Sequence, residues 1–239
     1  MPIHVLRDVD VIADGYRLRG IMNSVALADS VDVLEATVFA DAARRRVAGL
    51  RSANIDMEGF YDATLDKELY DRLGVANVPI TVAPDGNAEG ARAFFFRAIA
   101  GEYSHGGGIG EVNPFSLNAQ GSDGSRLVRG TIMHNATRTT TANGTSRQLG
   151  AIAAGQKMYA ALHVLAASGT TPTLNVVVGS DDNSGFLSGV NRITFAQATA
   201  IGSQWLTLDG PITDDYWRVQ WTIAGTSPSF EFVVVLGIL

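Results

Sequence analysis

Along most of this chain the apolar residues alternate with polar ones, and a period of two is the period of a half-buried β-strand. Residues 51–60 show it most clearly. Ala53, Ile55 and Met57 fall on one face, and Asn54, Asp56 and Glu58 fall on the other. Residues 5–12, 21–27, 31–39, Val78–Ala83 and 91–102 are further expected strands. Asp14 and Gly15 supply a hairpin turn that tolerates positive φ. In 91–102, Phe94 and Phe96 share one face while Phe95, Arg97 and Ile99 share the other. A strand with bulky groups on both faces is buried on both sides, or marks an interface. One segment breaks the alternation. Leu65, Leu69 and Leu73 lie four apart, with Thr64 as N-cap and Gly74 as the stop, which predicts a short amphipathic helix.

After Arg129 the composition shifts. Residues 134–147 (HNATRTTTANGTSR) are rich in Thr, Asn and Ala, lack apolar periodicity, and read as a linker or long loop. Strands are expected beyond it at 156–165, 173–179, 191–195, 204–208, 216–223 and 229–236. All three Trp residues lie in this half. The expected organisation is a β-barrel or sandwich over 1–135 with one flanking helix, a linker at 136–147, and a jelly-roll or Ig-like β-sandwich over 148–239. The whole is mainly β. The 239 residues suffice to bury a core without staples. With no Cys there is no disulfide framework, thiolate metal site or Cys nucleophile.

A search for chemistry returns little. His4, His105, His134 and His163 fall in separate segments, none with zinc-binding spacing. His163 shares a strand face with Tyr159 and Leu165, the setting of a structural histidine. Gly106, Gly107, Gly108 and Gly110 read as a flexible hairpin tip, because Glu111 stands where a dinucleotide fingerprint needs Gly. Residues 150–157 miss a phosphate loop, with Gln156 where Lys is required. Asp181, Asp182 and Asn183 have the oxygen density of a calcium loop but lack its Gly and its closing Glu. Asp214 and Asp215 are adjacent on a strand and point to opposite faces, so they do not flank one glycosidic bond. Neither an enzyme nor a cofactor is expected. Trp217 and Trp221 share a face with Val219 between them, as core or as a platform that stacks on sugar rings.

The charge is −6, from 18 basic and 24 acidic residues, and 16 of the 18 are Arg. Residues 1–130 carry 13 basic and 18 acidic groups, a balance of −5, and 131–239 carry 5 and 6, a balance of −1. Such a surface does not hold nucleic acid by clustered cations. It suits a channel that DNA passes without sticking. The start, MPIHVLRDVDV, lacks a basic stretch followed by an apolar core, so no signal peptide is expected. The longest apolar run, 230–239, is too short to span a bilayer and is interrupted by Glu231, so no membrane partner is expected. Arg44, Arg45 and Arg46 form the one basic cluster, in a loop from Ala40 and Asp41 to Leu50. Asp41, Arg44, Arg45, Arg46 and Leu50 are the candidate inter-subunit loop, and Asp56 and Glu58 are candidate lumen or interface carboxylates. A basic arm and acidic strands on one chain suit head-to-tail assembly.

Residues 37–62 carry a resemblance. Thr37, Val38 and Phe39 precede a variable basic loop, then Ala48, Gly49 and Leu50, then an alternating strand that ends near Phe60 and Asp62. This resembles the central stretch of tailed-bacteriophage tail tube proteins, as do the Gly108 to Val112 segment and the run from Phe115 to Gly130. The resemblance covers roughly residues 3–133, and the second half is similar to β-sandwich domains appended to virion proteins. It implies a structural virion protein forming stacked rings, commonly six-fold, around a lumen for genomic DNA. It further implies tail tip and terminator proteins as partners, the phage tail as location, and the host cytoplasm during assembly. The alternative is a surface or virion module that binds glycan through Trp217 and Trp221.

Overall fold

The computed structural model describes residues 8–239. His4 and the start of the strand expected at 5–12 lie outside the described residues. The strands are β1 (Asp10–Ala13), β2 (Tyr16–Arg17), β3 (Met22–Glu35), β4 (Arg46–Phe60), β5 (Val78–Ala83), β6 (Arg92–His105) and β7 (Pro114–Gly121). They continue with β8 (Val128–Arg138), β9 (Ala142–Asn143), β10 (Arg147–Gln148), β11 (Lys157–Asp181), β12 (Val190–Thr194), β13 (Gly202–Asp209) and β14 (Tyr216–Ile238). The helix α1 (Ala63–Tyr70) lies between β4 and β5. The mainly β expectation holds.

Two compact units divide the chain. The first comprises the segment ending at Gly20, Val78–Phe95 and Val128–Leu239; the second comprises Ile21–Asn77 and Phe96–Leu127. This division differs from a cut at 135 and 148. The stretch expected as a linker pairs with β14 instead: Ala136 lies opposite Phe232, Ala142 opposite Trp221, and Arg147 opposite Trp217. Where it pairs, its backbone bonds are satisfied by the ladder, so those residues need no apolar periodicity of their own.

In the first unit the strand order is β12-β11-β14-β8-β6-β5-β1-β2, with β13 beside β11. Its frame is the antiparallel pair of β11, with 25 residues, and β14, with 23. The four strands expected at 156–165, 173–179, 216–223 and 229–236 are the limbs of this one pair. It bends where register shifts fall between Val164 and Thr173. Gly169 at φ 112° and Gly225 at φ 125° sit in the bend. A Cβ at Gly169 would lie 2.7 Å from the Ser227 carbonyl oxygen, so both the conformation and the close approach require glycine there. Strands that turn a corner through bulges can serve two packed layers. Here Met158, Ala160, Leu162 and Val164 of one limb share a core with Leu174, Val176 and Val178 of the next. The inward positions of β14 change from odd (Trp217, Val219, Trp221, Ile223) to even (Phe230, Phe232, Val234, Leu236) across the bend, which keeps both limbs turned to that core. The outer side of one limb is buried as well, since Ala161, Val233 and Val235 pack with Phe95, Val128 and Ile132.

Some polar groups inside this unit are paired, while His163 Nδ1 and His134 Nε2 are buried with no hydrogen-bond partner among the described residues. His163 is fully buried, and its Nε2 lies 2.8 Å from the Thr81 hydroxyl. Burial holds its pKa down at about 4. His134 stacks against Trp221 and Phe232, and its Nδ1 lies 2.8 Å from a Glu89 carboxylate oxygen. Burial, opposed by Glu89, keeps its pKa below the usual value. Arg17 joins Asp10 of β1 at 3.1 Å to Glu231 of β14 at 2.6 Å.

The second unit holds the sheet β3-β4-β7-β6. The segments expected as separate strands at 21–27 and 31–39 form one strand that ends at Glu35. The ladder carries on through Ala28, Asp29 and Ser30. Asp62 caps α1, its carboxylate accepting from Thr64 and Leu65 N–H, and these bonds hold its pKa down. Thr64, the expected cap, is therefore one residue inside the helix, and the helix stops at Tyr70, short of Gly74.

Candidate functional site

The β3–β4 ladder is half core and half arm. Near its base the register sets Val25 opposite Met57 and Leu27 opposite Ile55, and β7 continues the rows with Leu117 and Ala119. Ile55, Met57 and Ala119 are buried. From Ala28 to Ser52 every residue is exposed except the half-buried Gly49. A register shift between Val31 and Val33 inserts one extra residue on β4 at Gly49 and Leu50. Beyond it both faces carry apolar side chains: Val31 and Val33 on one, Leu34 and Val47 opposite each other on the second. Leu50 is 81% exposed, and at the tip Phe39 is wholly exposed. Single exposed apolar residues need no explanation, but a run of them along both sides of one hairpin marks a surface meant to be covered.

The tip is tied by its own polar groups. Asp41 accepts from the Val38 N–H at 2.9 Å, and the Thr37 hydroxyl accepts from the Arg45 N–H at 3.0 Å. Arg44, Arg45 and Arg46 form no ion pair with a described residue. Within the basic loop expected from Ala40 to Leu50, the residues from Arg46 onward belong to β4. The tip itself is residues 36–45.

Asp56 and Glu58 stand on the exposed face of the sheet. The register places Asn54, Asp56 and Glu58 beside Gln120, Asn118 and Ser116, with Glu102 and Ser104 of β6 next in the rows. Ala26 and Ala28 flank them on β3. None of these positions is Lys or Arg. Asn118 Nδ2 donates to an Asp56 carboxylate oxygen at 2.6 Å and to the Asn54 side-chain Oδ1 at 3.1 Å. The result is a polar, net-negative face that is hydrogen-bonded within itself. Glu58 has no ion partner among the described residues.

A groove of about 470 Å³ opens at the base of the ladder, lined by Asn23, Glu58, Gly59, Ser104, His105, Gly106, Pro114, Phe115 and Ser116. Sequence reading missed it, because its walls come from four separated segments. Tyr61 and Tyr103 lie against the His105 ring at 5.1 and 5.9 Å. Tyr103 donates its hydroxyl to Asp66 of α1 at 2.8 Å; burial first, then this carboxylate, raises its pKa.

Trp217 and Trp221 are not a platform. Both are buried, with indole N–H groups donated to the carbonyls of Gly150 at 2.9 Å and Thr140 at 3.0 Å. The 181–188 segment is a turn in which Asp181 accepts from the Asn183 and Ser188 N–H groups. Among the described residues no group of three or more His, Asp or Glu is placed to hold a metal ion, and no helix is long and apolar enough to cross a membrane.

No family model matches the chain, and no curated protein matches it. Among solved structures it is similar to a chain of the virion of a native gene transfer agent particle, at 14% identity and a TM-score of 0.37, over 45% of this chain and 84% of that one. It is similar to SPP1 Dit (gp 19.1), described as a hub adsorption apparatus protein of Gram-positive-infecting phages. That match has 13% identity and a TM-score of 0.39, over 98% and 100% of the two chains. It is also similar to the SPP1 tail tube protein, at 12% identity and a TM-score of 0.42, over 53% and 78%. Likeness at these values carries no functional argument.

Proposed function

We propose that this chain is a structural subunit that assembles with copies of itself into stacked rings, forming a phage tail tube whose lumen genomic DNA traverses. The observation that carries this reading is the β3–β4 arm: a long exposed hairpin with apolar side chains on both faces and nothing described packed on it. Among the described residues strand β3 pairs only with β4, so alternate residues along its 14-residue length offer backbone donors and acceptors on the outer edge. Edges of this length are templates for pairing with another chain. The sheet face bearing Asp56, Glu58 and Glu102 suits a lumen, since fixed negative charge repels phosphates and Asn54, Asn118, Ser104 and Ser116 are hydrogen-bonded within the face. In this reading the basic tip meets acidic groups of the adjacent ring, and other tail proteins meet the ends of the stack. Negative-stain microscopy and sedimentation velocity of the purified chain at rising concentration test it. Rings or tubes are expected; a monomer at every concentration and salt level would overturn it.

A further inference from the structure

We infer that the groove at the base of the β3–β4 ladder receives the tip of the same hairpin from a second copy, with Phe39 as the anchor and the adjoining arginines on Glu58. The inference rests on the self-assembly reading and names the contact that joins one copy to the next. Three observations lead to it. Phe39 is an aromatic side chain held wholly in solvent at the end of a long ladder, and aromatic and Arg residues are the side chains that dominate interfaces. The groove has an aromatic and proline floor, Phe115 and Pro114, and its volume of about 470 Å³ falls in the range of pockets that enclose small ligands. Its rim carries Glu58, an exposed carboxylate without an ion partner among the described residues, while Arg44 and Arg45, close to Phe39 at the tip, are cations without one. The charges on the two ends of the arm are therefore complementary.

The tip cannot fill its own groove. Ser24 lies opposite Glu58 at the base and Glu35 opposite Arg46 near the tip, so the two ends are separated by roughly 40 Å at about 3.3 Å per residue. Tip and groove are different patches on one chain. Such a heterologous contact does not close on itself in pairs; it propagates. The length of the ladder then sets the axial step between successive copies.

The absence of cysteine in the chain makes cross-linking a clean test. In the full-length double variant Val38→Cys with Ser104→Cys, which keeps Phe39, mild oxidation of assembled protein should give a ladder of covalent dimers, trimers and higher species. A control pairing Val38→Cys with Thr207→Cys should give none above background. Glu58→Arg should raise the concentration needed for assembly about tenfold or more, and adding Arg44→Glu and Arg45→Glu should restore it. Phe39→Ser should act in the same direction as Glu58→Arg. A wild-type chain that never assembles overturns both this docking and the function it rests on. An assembling chain that gives no Val38–Ser104 ladder, or that ignores Glu58→Arg, overturns the docking alone.

Discussion

Two long antiparallel ladders dominate the molecule, and they are built to opposite ends. The β11–β14 pair is bent by its glycines and folds its two limbs around one core, so that most of its inward side chains touch residues of the same pair. The β3–β4 pair has no such bend. It runs from a buried base to an arm whose Val33, Leu34, Val38 and Leu50 are all exposed. The first ladder is its own partner. The second carries apolar side chains that the fold leaves for something else to cover. The hydrophobic effect is non-directional, and what separates the two cases is backbone geometry: bulges with positive-φ glycines where the chain must return on itself, and a bulged ladder without a positive-φ glycine where it reaches outward.

Removing one partner of the bent pair should have the largest effect. A chain ending at Ala136 loses β14, and with it Phe232 opposite Ala136 and Val235 opposite Ile132. It should fail to fold its first unit, giving no cooperative melt for that unit and no dispersed amide spectrum from β8. A well-folded product would mean that 1–135 is an independent domain after all. Point truncations should follow the contrast next. Phe232→Ala should cost about 3–5 kcal/mol of stability, as large core deletions do, whereas Phe39→Ala should leave the monomer within about 0.5 kcal/mol of wild type. Denaturant titrations of both at concentrations too low for assembly decide it. A large cost at Phe39 would show that the arm packs on its own subunit.

A pH titration sharpens the contrast further. The unfolded imidazole of His163 takes up a proton below about pH 6.5, and the folded one, held down by burial, resists until about 4. Stability should therefore be full above about 6.5 and fall by up to about 3 kcal/mol as pH drops through that window. His163→Gln should flatten most of the slope and leave the share due to His134. An unchanged slope would mean that His163 is not held neutral in the folded chain.

How far these features were legible in the sequence depended on where the relevant partner lies. The alternation of Ala53, Ile55 and Met57 is local, so the strand and its buried face could be read directly. That Trp217 and Trp221 share a face was also readable. Whether that face is core or platform depends on Phe230, Phe232 and Met133, which no spacing around the tryptophans reveals. The polar stretch at 134–147 reads as a linker because its side chains show no period, yet strand pairing is a property of the backbone and asks little of them. The continuity of β11 across 166–172 was hidden for a similar reason, since a bulged corner of Gly, Thr and Pro looks like a loop. The arm charges were visible as residue types, but the groove was not, because its walls converge only in the folded sheet.

Pairing also governs how each ladder would meet a pulling force. Strand β14 is held along one edge by β11 and along the other by β8, β9 and β10. Tension along either limb loads that limb's bonds together, as shear, and a set of bonds loaded in parallel yields only when many break at once. The open end of the β3–β4 arm is different. Force drawing its two strands apart from the tip meets one pair at a time and opens the ladder like a zipper, stopping where Ala53, Ile55 and Met57 begin the buried base. The same chain would thus carry load as a block through β14, while its arm peels and re-forms without disturbing the core beneath it.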